Sequence, residues 1–499
     1  MSYITVNNHQ PVRADTIPEL QYLRFRDMNT ELITNNPERH CVLYFGIREE
    51  NHIRLICCIA DDNQHNIMIS SSVVKDNDVL ESFSAKCICF EKFEREIHEN
   101  FGIGYSDHPW LKPVRYPENR PDKTNTIPDY PFFGISSEEL HEVGVGPVHA
   151  GIIEPGHFRF VCNGEQILHL EIQLGYQHRG VEKLFLEKKK LIERTTLAES
   201  IAGDSVVGHT TAFAYLLESI SGVGQDEEML FSRTLAQEIE RIAIHTGDLS
   251  AICADIAYQL GNSVFGRLRT PIINFFQEWC GNRLSKGLIR AGYNPYPFTK
   301  ELGTRLMEVL DAFEPDFIEM TADISSLPST LSRFERTGML KYDQLLSIGT
   351  VGMSARMNTL ERDIRMSHPY GIYPSLNHSP IIKHHGDVYS RVQIRKEEVL
   401  QSIGYIRNML KNIPEPGSNK RLQLSFKPDT FSVSLTEGWR GEICHAALTD
   451  SSGELIIYKV KDPSFHNWLA LALAVRNNEI SDFPVSNKSF NLSYCGHDL

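Results

Sequence analysis

Titratable and small residues gather at three places in this sequence where proton or electron chemistry is conceivable. Glu199–His209 reads ESIAGDSVVGH and sets Gly203, Asp204, Ser205 and His209 close together between two helix-like stretches. Gly146–Phe160, GPVHAGIIEPGHFRF, places His149 and His157 on a glycine- and proline-rich loop running into a strand. Such loops commonly carry ligands, although a lone histidine is more often a hydrogen-bonding structural residue than a catalyst. Between Arg233 and Leu260, Arg241, His245, Asp248 and Asp255 follow one another at spacings of 4, 3 and 7. On a helix they fall in one narrow stripe. An imidazole among carboxylates can pass protons near neutral pH, and the plainer alternative is the solvated face of an amphipathic helix.

Two further stretches are less specific. GYQHRGVEKL, Gly175–Leu184, puts His178, Arg179, Glu182 and Lys183 at a strand-to-helix passage, where Glu182 also suits a helix start. KDPSFHNW, Lys461–Trp468, reads as a proline-initiated turn leading into a helix. Even the opening cluster has a modest reading, because Gly203 and Gly208 are poor helix formers and Asp204-Ser205 is a local cap.

The elements that must position these residues suggest an α+β protein. From Cys41 to Cys89, CVLYFGI, IRLICCIAD, NIMISSSV and AKCICF read as short strands, and Phe90–Ile103 as a closing helix. This makes residues 1–115 a small α+β domain. Lys112–Gly134 holds five prolines, so residues 116–143 are read as an extended linker. Residues 144–499 then form the second domain. It opens on a hairpin turning at Asn163-Gly164, continues from Glu182 to about Ile289 as a helical bundle, and ends in a mixed part. In that part LQLSFKP, FSVSLTEG and ELIIYKVKD are strand-like, and a helix follows near Trp468.

Composition narrows the function classes. A net charge of −14 over 499 residues argues against a dominant nucleic-acid or anionic-membrane partner. The longest apolar run, Asn467–Val475, is far short of the roughly 20 residues that span a bilayer. The first twenty residues lack a basic start and an apolar middle, so a place on the cytoplasmic side is expected. The ten cysteines contain no CxxC pair and read as reduced thiols. No G-x-G-x-x-G loop follows a strand, so direct NAD binding is not expected.

Taken in order, FEREIHENFGIGYSDHPWLKPVRYP, GPVH, GYQHRGVEKL, RTLAQEIERIAIH, TVGMSARMNTLERDIRMSHPYGIY, GDVYSRVQIRKEE and EGWRGE carry a resemblance. They resemble the large subunit of group 4 membrane-bound nickel–iron hydrogenases and its relative, the quinone-site subunit of respiratory complex I. The N-terminal domain is similar to the small complex I subunit often fused ahead of it. The closing NKSFNLSYCGHDL resembles the energy-converting hydrogenase-related type. The hydrogenases place R-x-C-G-x-C-x-x-x-H where this chain has Ser200, Ala202, Gly203, Ser205 and His209, and D-P-C-x-x-C where it has Asp462, Pro463, Ser464 and Asn467. All four metal-binding thiolates are replaced, and alanine, serine and asparagine are poor donors for a soft metal centre, so a nickel–iron site is not expected.

The resemblance implies a subunit of a membrane-bound, redox-driven, ion-pumping assembly. Electrons would come from a 4Fe-4S cluster in an iron–sulfur small subunit, and membrane-embedded complex I-like and antiporter-like subunits would be further partners. It further implies a metal-free cavity lined by Gly203, Asp204, Ser205, His209, Ser464 and Asn467, with a quinone or another small carrier as its occupant. His157, Asp255, His149 and Arg440 would be the reacting residues, and Arg241, His245 and Asp248 a proton path. In complex I a quinone-binding tyrosine falls where Gly203 stands, and Asp255 matches an aspartate that pairs with the loop histidine near His157. The competing expectation is a non-catalytic scaffold between the iron–sulfur and membrane subunits.

Overall fold

The alternation of branched and polar residues from Arg39 onward produces an antiparallel meander. In the computed structural model, which describes residues 2–415 and 421–499, its strands are Arg39–Glu49, His52–Asp61 and Asn66–Val74. Ile4–Val6 adds to its edge, and Glu19–Leu20 pairs in parallel with the same last strand. The Tyr22–Thr34 and Glu91–Phe101 helices pack against this sheet, and Phe25, Tyr44, Phe83 and Phe90 form a fully buried aromatic core. Glu91–Phe101 stops at Gly102, whose φ of +76° costs little without a side chain.

AKCICF departs from the strand reading. Cys87 is extended but Ile88–Phe90 is a 3-10 turn, because the chain must swing directly into the following helix. LQLSFKP likewise forms no strand. Its backbone bonds instead to Gly292 and Ile220 in neighbouring segments, with Leu422 N–H on the Gly292 carbonyl and Lys427 N–H on the Ile220 carbonyl. The proline-rich segment is irregular apart from the turn Ile127–Asp129, and the strand His141–Val145 follows it.

That strand joins the expected hairpin, His157–Asn163 against Gln166–Gln173, in a three-stranded sheet. Beyond it lie the helices Val206–Ser221, Glu227–Asp255, Gln259–Cys280, Lys300–Ile324 and Val388–Met409. A last sheet is built from Thr430–Gly438, Gly441–Thr449 and Leu455–Lys461, and its fourth strand, Val12–Arg13, comes from the other end of the chain. Its first two strands are buried throughout, and Val206–Ser221 lies across them. Gly208 makes this approach possible, since an added Cβ would lie 2.7 Å from Ile443.

Buried ion pairs fasten the small N-terminal unit to the rest. His40 meets Glu442 at 2.7 Å, Glu442 is also held by Lys461, and Lys459 bridges Glu96 and Glu182. Among the described residues no helix is long and apolar enough to cross a membrane.

Candidate active site and its buried charges

The Glu199–His209 loop delivers its residues to two different environments. Gly203 is exposed, an added Cβ there would meet nothing within 4 Å, and Asp204 is half-buried beside it. Both border a crevice shared with Glu240, Ile244, Ile273 and Phe276. Ser205 and His209, by contrast, are sealed inside. The expected Asp204-Ser205 cap does not form, as Ser205 makes no side-chain capping bond. Glu240 does that work by accepting the N–H groups of Val207 at 2.7 Å and Gly208 at 3.2 Å. Burial nevertheless pushes the Glu240 carboxyl up to about 8, with nearby Asp204 adding to the rise.

Arg440 organises the loop. Its guanidinium grips both Asp204 oxygens, donates to Ser205 Oγ at 3.2 Å and stacks on Trp439, with Cζ 4.0 Å from the ring centroid. Trp439 Nε1–H donates to the Asp204 carbonyl at 2.7 Å. The EGWRGE turn is itself pinned by direct backbone contact, because a Cβ on Gly352 would sit 2.1 Å from the Gly441 Cα.

His209 is held by a chain of hydrogen bonds that one choice of tautomers satisfies throughout. Tyr458 O–H donates to His445 Nδ1 at 2.7 Å, His445 Nε2–H to His209 Nδ1 at 3.1 Å, and His209 Nε2–H to Asp462 at 3.0 Å. All four side chains are buried, and Asp462 is held down at about 2 because His209, Arg440 and Ser464 outweigh its burial. Ser464 Oγ accepts the Ser493 N–H at 2.8 Å, and Asn467 bonds both backbone groups of Val351. The four positions that carry thiolates in the hydrogenase motifs thus supply no sulfur. The three that have polar side chains spend them on the protein's own hydrogen bonds.

The stripe on Glu227–Asp255 divides as well. Arg241, His245 and Asp248 are buried, whereas Asp255, at the helix end, is exposed. His245 Nε2 lies 2.7 Å from Glu398, and burial lowers its pKa despite that carboxylate. Glu398 also pairs with Arg356 and, at 3.5 Å, with Arg241. Arg356 reaches Glu437 at 2.9 Å and Asp363 at 3.4 Å, and Arg365 joins Asp363 at 2.7 Å and Glu238 at 3.5 Å. Four buried carboxylates, Glu238, Asp363, Glu398 and Glu437, therefore face three guanidiniums, Arg241, Arg356 and Arg365. Burial and the Asp363 charge push the odd one, Glu437, up to about 7. Asp248 belongs to a neighbouring link, paired with Arg395 at 3.1 Å and accepting from Asn491, whose carbonyl accepts from Arg440. The sequence reading did not single out Glu398, Arg356, Asp363, Arg365 or Glu437, although they lie in or beside the motifs that carried the resemblance.

His157 and Asp255 are joined by neither hydrogen bond nor ion pair. His157 begins its strand half-buried against Phe132, its Nε2 without a partner, and burial lowers its pKa. His149 lies 3.3 Å from the Tyr494 hydroxyl. Cys495, next to Tyr494, has its thiol pushed up to about 11, chiefly by burial. Val148 and Ile152 stand exposed on the His149 loop, Ile152 by 97%.

Comparison with known proteins agrees with this architecture. Residues 23–128 match the family of the respiratory-chain NADH dehydrogenase 30 Kd subunit, and residues 261–430 that of the 49 Kd subunit. The chain is 25% identical to hydrogenase-4 component G of Escherichia coli across 97% of its own length and 86% of that protein. The chain belongs to the superfamily of complex I 49/30-kDa subunits and group 4 hydrogenases. Another member of this superfamily, the C/D component of NADH-quinone oxidoreductase from Phocaeicola vulgatus, is 25% identical over 83% of this chain and 85% of its own. The fold is shared with a chain of the membrane-bound sulfane sulfur reductase, an archaeal respiratory membrane complex. That likeness has a TM-score of 0.68 at 18% identity and covers 72% of this chain and 99% of the other.

Proposed function

We propose that the chain is a peripheral subunit, on the cytoplasmic side, of a membrane-bound complex I-like redox assembly, and that its buried charge network couples redox events to ion movement in membrane subunits. The observation that carries this reading is the excess carboxylate in a closed interior. Glu437, near 7, can take or lose a proton at physiological pH, which changes the charge facing its partner Arg356 and, through Arg356 and Glu398, the charge balance at Arg241 and His245. The surfaces bearing Gly203, Asp204, His149 and exposed Ile152 would receive the iron–sulfur small subunit, whose 4Fe-4S cluster exchanges electrons there. A quinone or another small carrier is the proposed acceptor, with His157, whose buried Nε2 has no partner, as the candidate contact.

A nickel–iron centre is not part of the proposal, since Ala202, Ser205, Ser464 and Asn467 do not fit one. A second reading, the scaffold without local chemistry, is favoured by the sealed state of Ser205, His209, Ser464 and Asn467. Quinone titration of the purified assembly separates the two. Quinone-dependent reoxidation of the cluster, with a pH dependence that Glu437→Gln removes, is the expected result. Absence of quinone-dependent reoxidation in the wild-type assembly refutes the redox reading and leaves the scaffold.

A further inference from the structure

Six of the ten cysteines lie in one region where the small N-terminal unit meets the rest of the chain. Cys41, Cys57 and Cys58 come from the meander, Cys87 and Cys89 from the turn after it, and Cys444 from the C-terminal sheet. All six are buried. Cys87 and Cys89 differ from the others in geometry. The change from extended backbone at Cys87 to the 3-10 turn at Ile88–Phe90 brings their Sγ atoms to 3.3 Å. Gly349, at φ +72°, closes over Cys89, where an added Cβ would come within 2.9 Å of the Cys89 Cβ.

A second observation concerns the charge beside them. Arg362 is buried with no carboxylate within ion-pair distance, among the described residues, and its Nε has no partner. It donates to the Thr350 carbonyl at 2.9 Å, and its charge acts on both thiols. Asp62 and Glu442 offset its charge from beyond ion-pair distance, and a thiolate of the cysteine pair would add to that compensation.

We propose that Cys87 and Cys89 form a redox-active dithiol, with Cys87 as the attacking sulfur and Cys89 as the resolving one. The bond between the thiols holds Cys87 below the usual thiol range and Cys89 well above it, which suits these roles. The oxidant is a low-molecular-weight disulfide. The Cys87 thiolate attacks one of its sulfurs, forming a mixed disulfide and releasing one thiolate. Cys89 then loses its proton and attacks Cys87 Sγ, forming the Cys87–Cys89 bond and expelling the second thiolate. Two electrons pass from the protein sulfurs to the small disulfide, which leaves as two thiols.

Trypsin cleavage after Lys86 and Lys92 frees Cys87–Lys92 as one peptide, so the state of the pair can be read directly. The full chain is incubated folded with oxidised glutathione, then denatured in excess iodoacetamide and digested. The expected result is loss of the doubly alkylated peptide and gain of a form lighter than the reduced peptide by two hydrogens, while Cys253 and Cys280 stay alkylated. In Cys89→Ser, glutathione should remain trapped on Cys87, and in Cys87→Ser, Cys89 should stay unmodified. A wild-type peptide that stays doubly alkylated, or trapping on Cys89 in place of Cys87, overturns the proposal.

Discussion

Replacing Glu240 by glutamine tests whether a carboxyl at the start of the Val206–Ser221 helix is neutral in the folded protein. Two effects compete there. The N–H groups of Val207 and Gly208 favour the charged form, and complete burial disfavours it and prevails, taking the group from 4.5 to about 8. Below about pH 4.5 the carboxyl is protonated in both folded and unfolded chains and has no differential effect. As the pH rises toward about 8 the unfolded chain gives up this proton while the folded one keeps it, so stability falls. The gap corresponds to about 5 kcal/mol lost by the wild type across that window. Glutamine keeps a carbonyl oxygen for one of the two helix N–H groups and turns its NH2 toward the other, a cost that does not vary with pH, and it has nothing to titrate. Unfolding of the two proteins compared across the window should therefore show Glu240→Gln becoming progressively the more stable, while other titrations cancel in the difference. An infrared band of a protonated carboxyl should also be present near neutral pH in the wild type and absent in the variant. A stability difference that stays flat across the window, or that turns against the variant as the pH rises, would refute the reasoning and mean that the helix start holds a charged carboxylate.

Three further outcomes are expected. Gly352→Ala puts a methyl 2.1 Å from the Gly441 Cα at a φ of +64°, so it should cost more than about 3 kcal/mol in thermal unfolding or prevent soluble expression. Glu398→Ala leaves His245 without its buried partner and Arg356 with only Glu437 and Asp363, and should cost about 3 to 5 kcal/mol, measured by denaturant titration. Tyr458→Phe removes the hydroxyl that begins the histidine relay, which leaves His445 Nδ1 unsatisfied at about 1 to 3 kcal/mol and should be visible as a lowered Tm.

Local pattern made some of this structure readable in advance, and distance in sequence hid the rest. The Asn163-Gly164 hairpin and the long Glu227–Asp255 helix follow from turn chemistry and helical period, both of which act over a few residues. AKCICF looked like a strand because cysteine, isoleucine and phenylalanine suit one, yet the swing into the next helix decided its conformation. His245 lay on a recognisable stripe, but its partner Glu398 is 153 positions away, so only the fold distinguishes a buried network from a solvated face. The same stripe misled at Asp255, where the helix runs out of cover. The replacement of the four thiolates was plain from the motif, whereas the relay that now holds His209 depends on Tyr458 and His445, which only the C-terminal sheet brings near.

Val12–Arg13 completes that sheet by pairing with Thr430 and Phe431. During synthesis this short segment leaves the ribosome early, and about 420 residues must follow before its partner strand exists. Until then the two residues have no place in the large unit, and Thr430–Gly438 then emerges with an open edge able to pair with another chain. A block on Val12–Arg13 would therefore leave the edge of the strand that carries Glu437 without its partner.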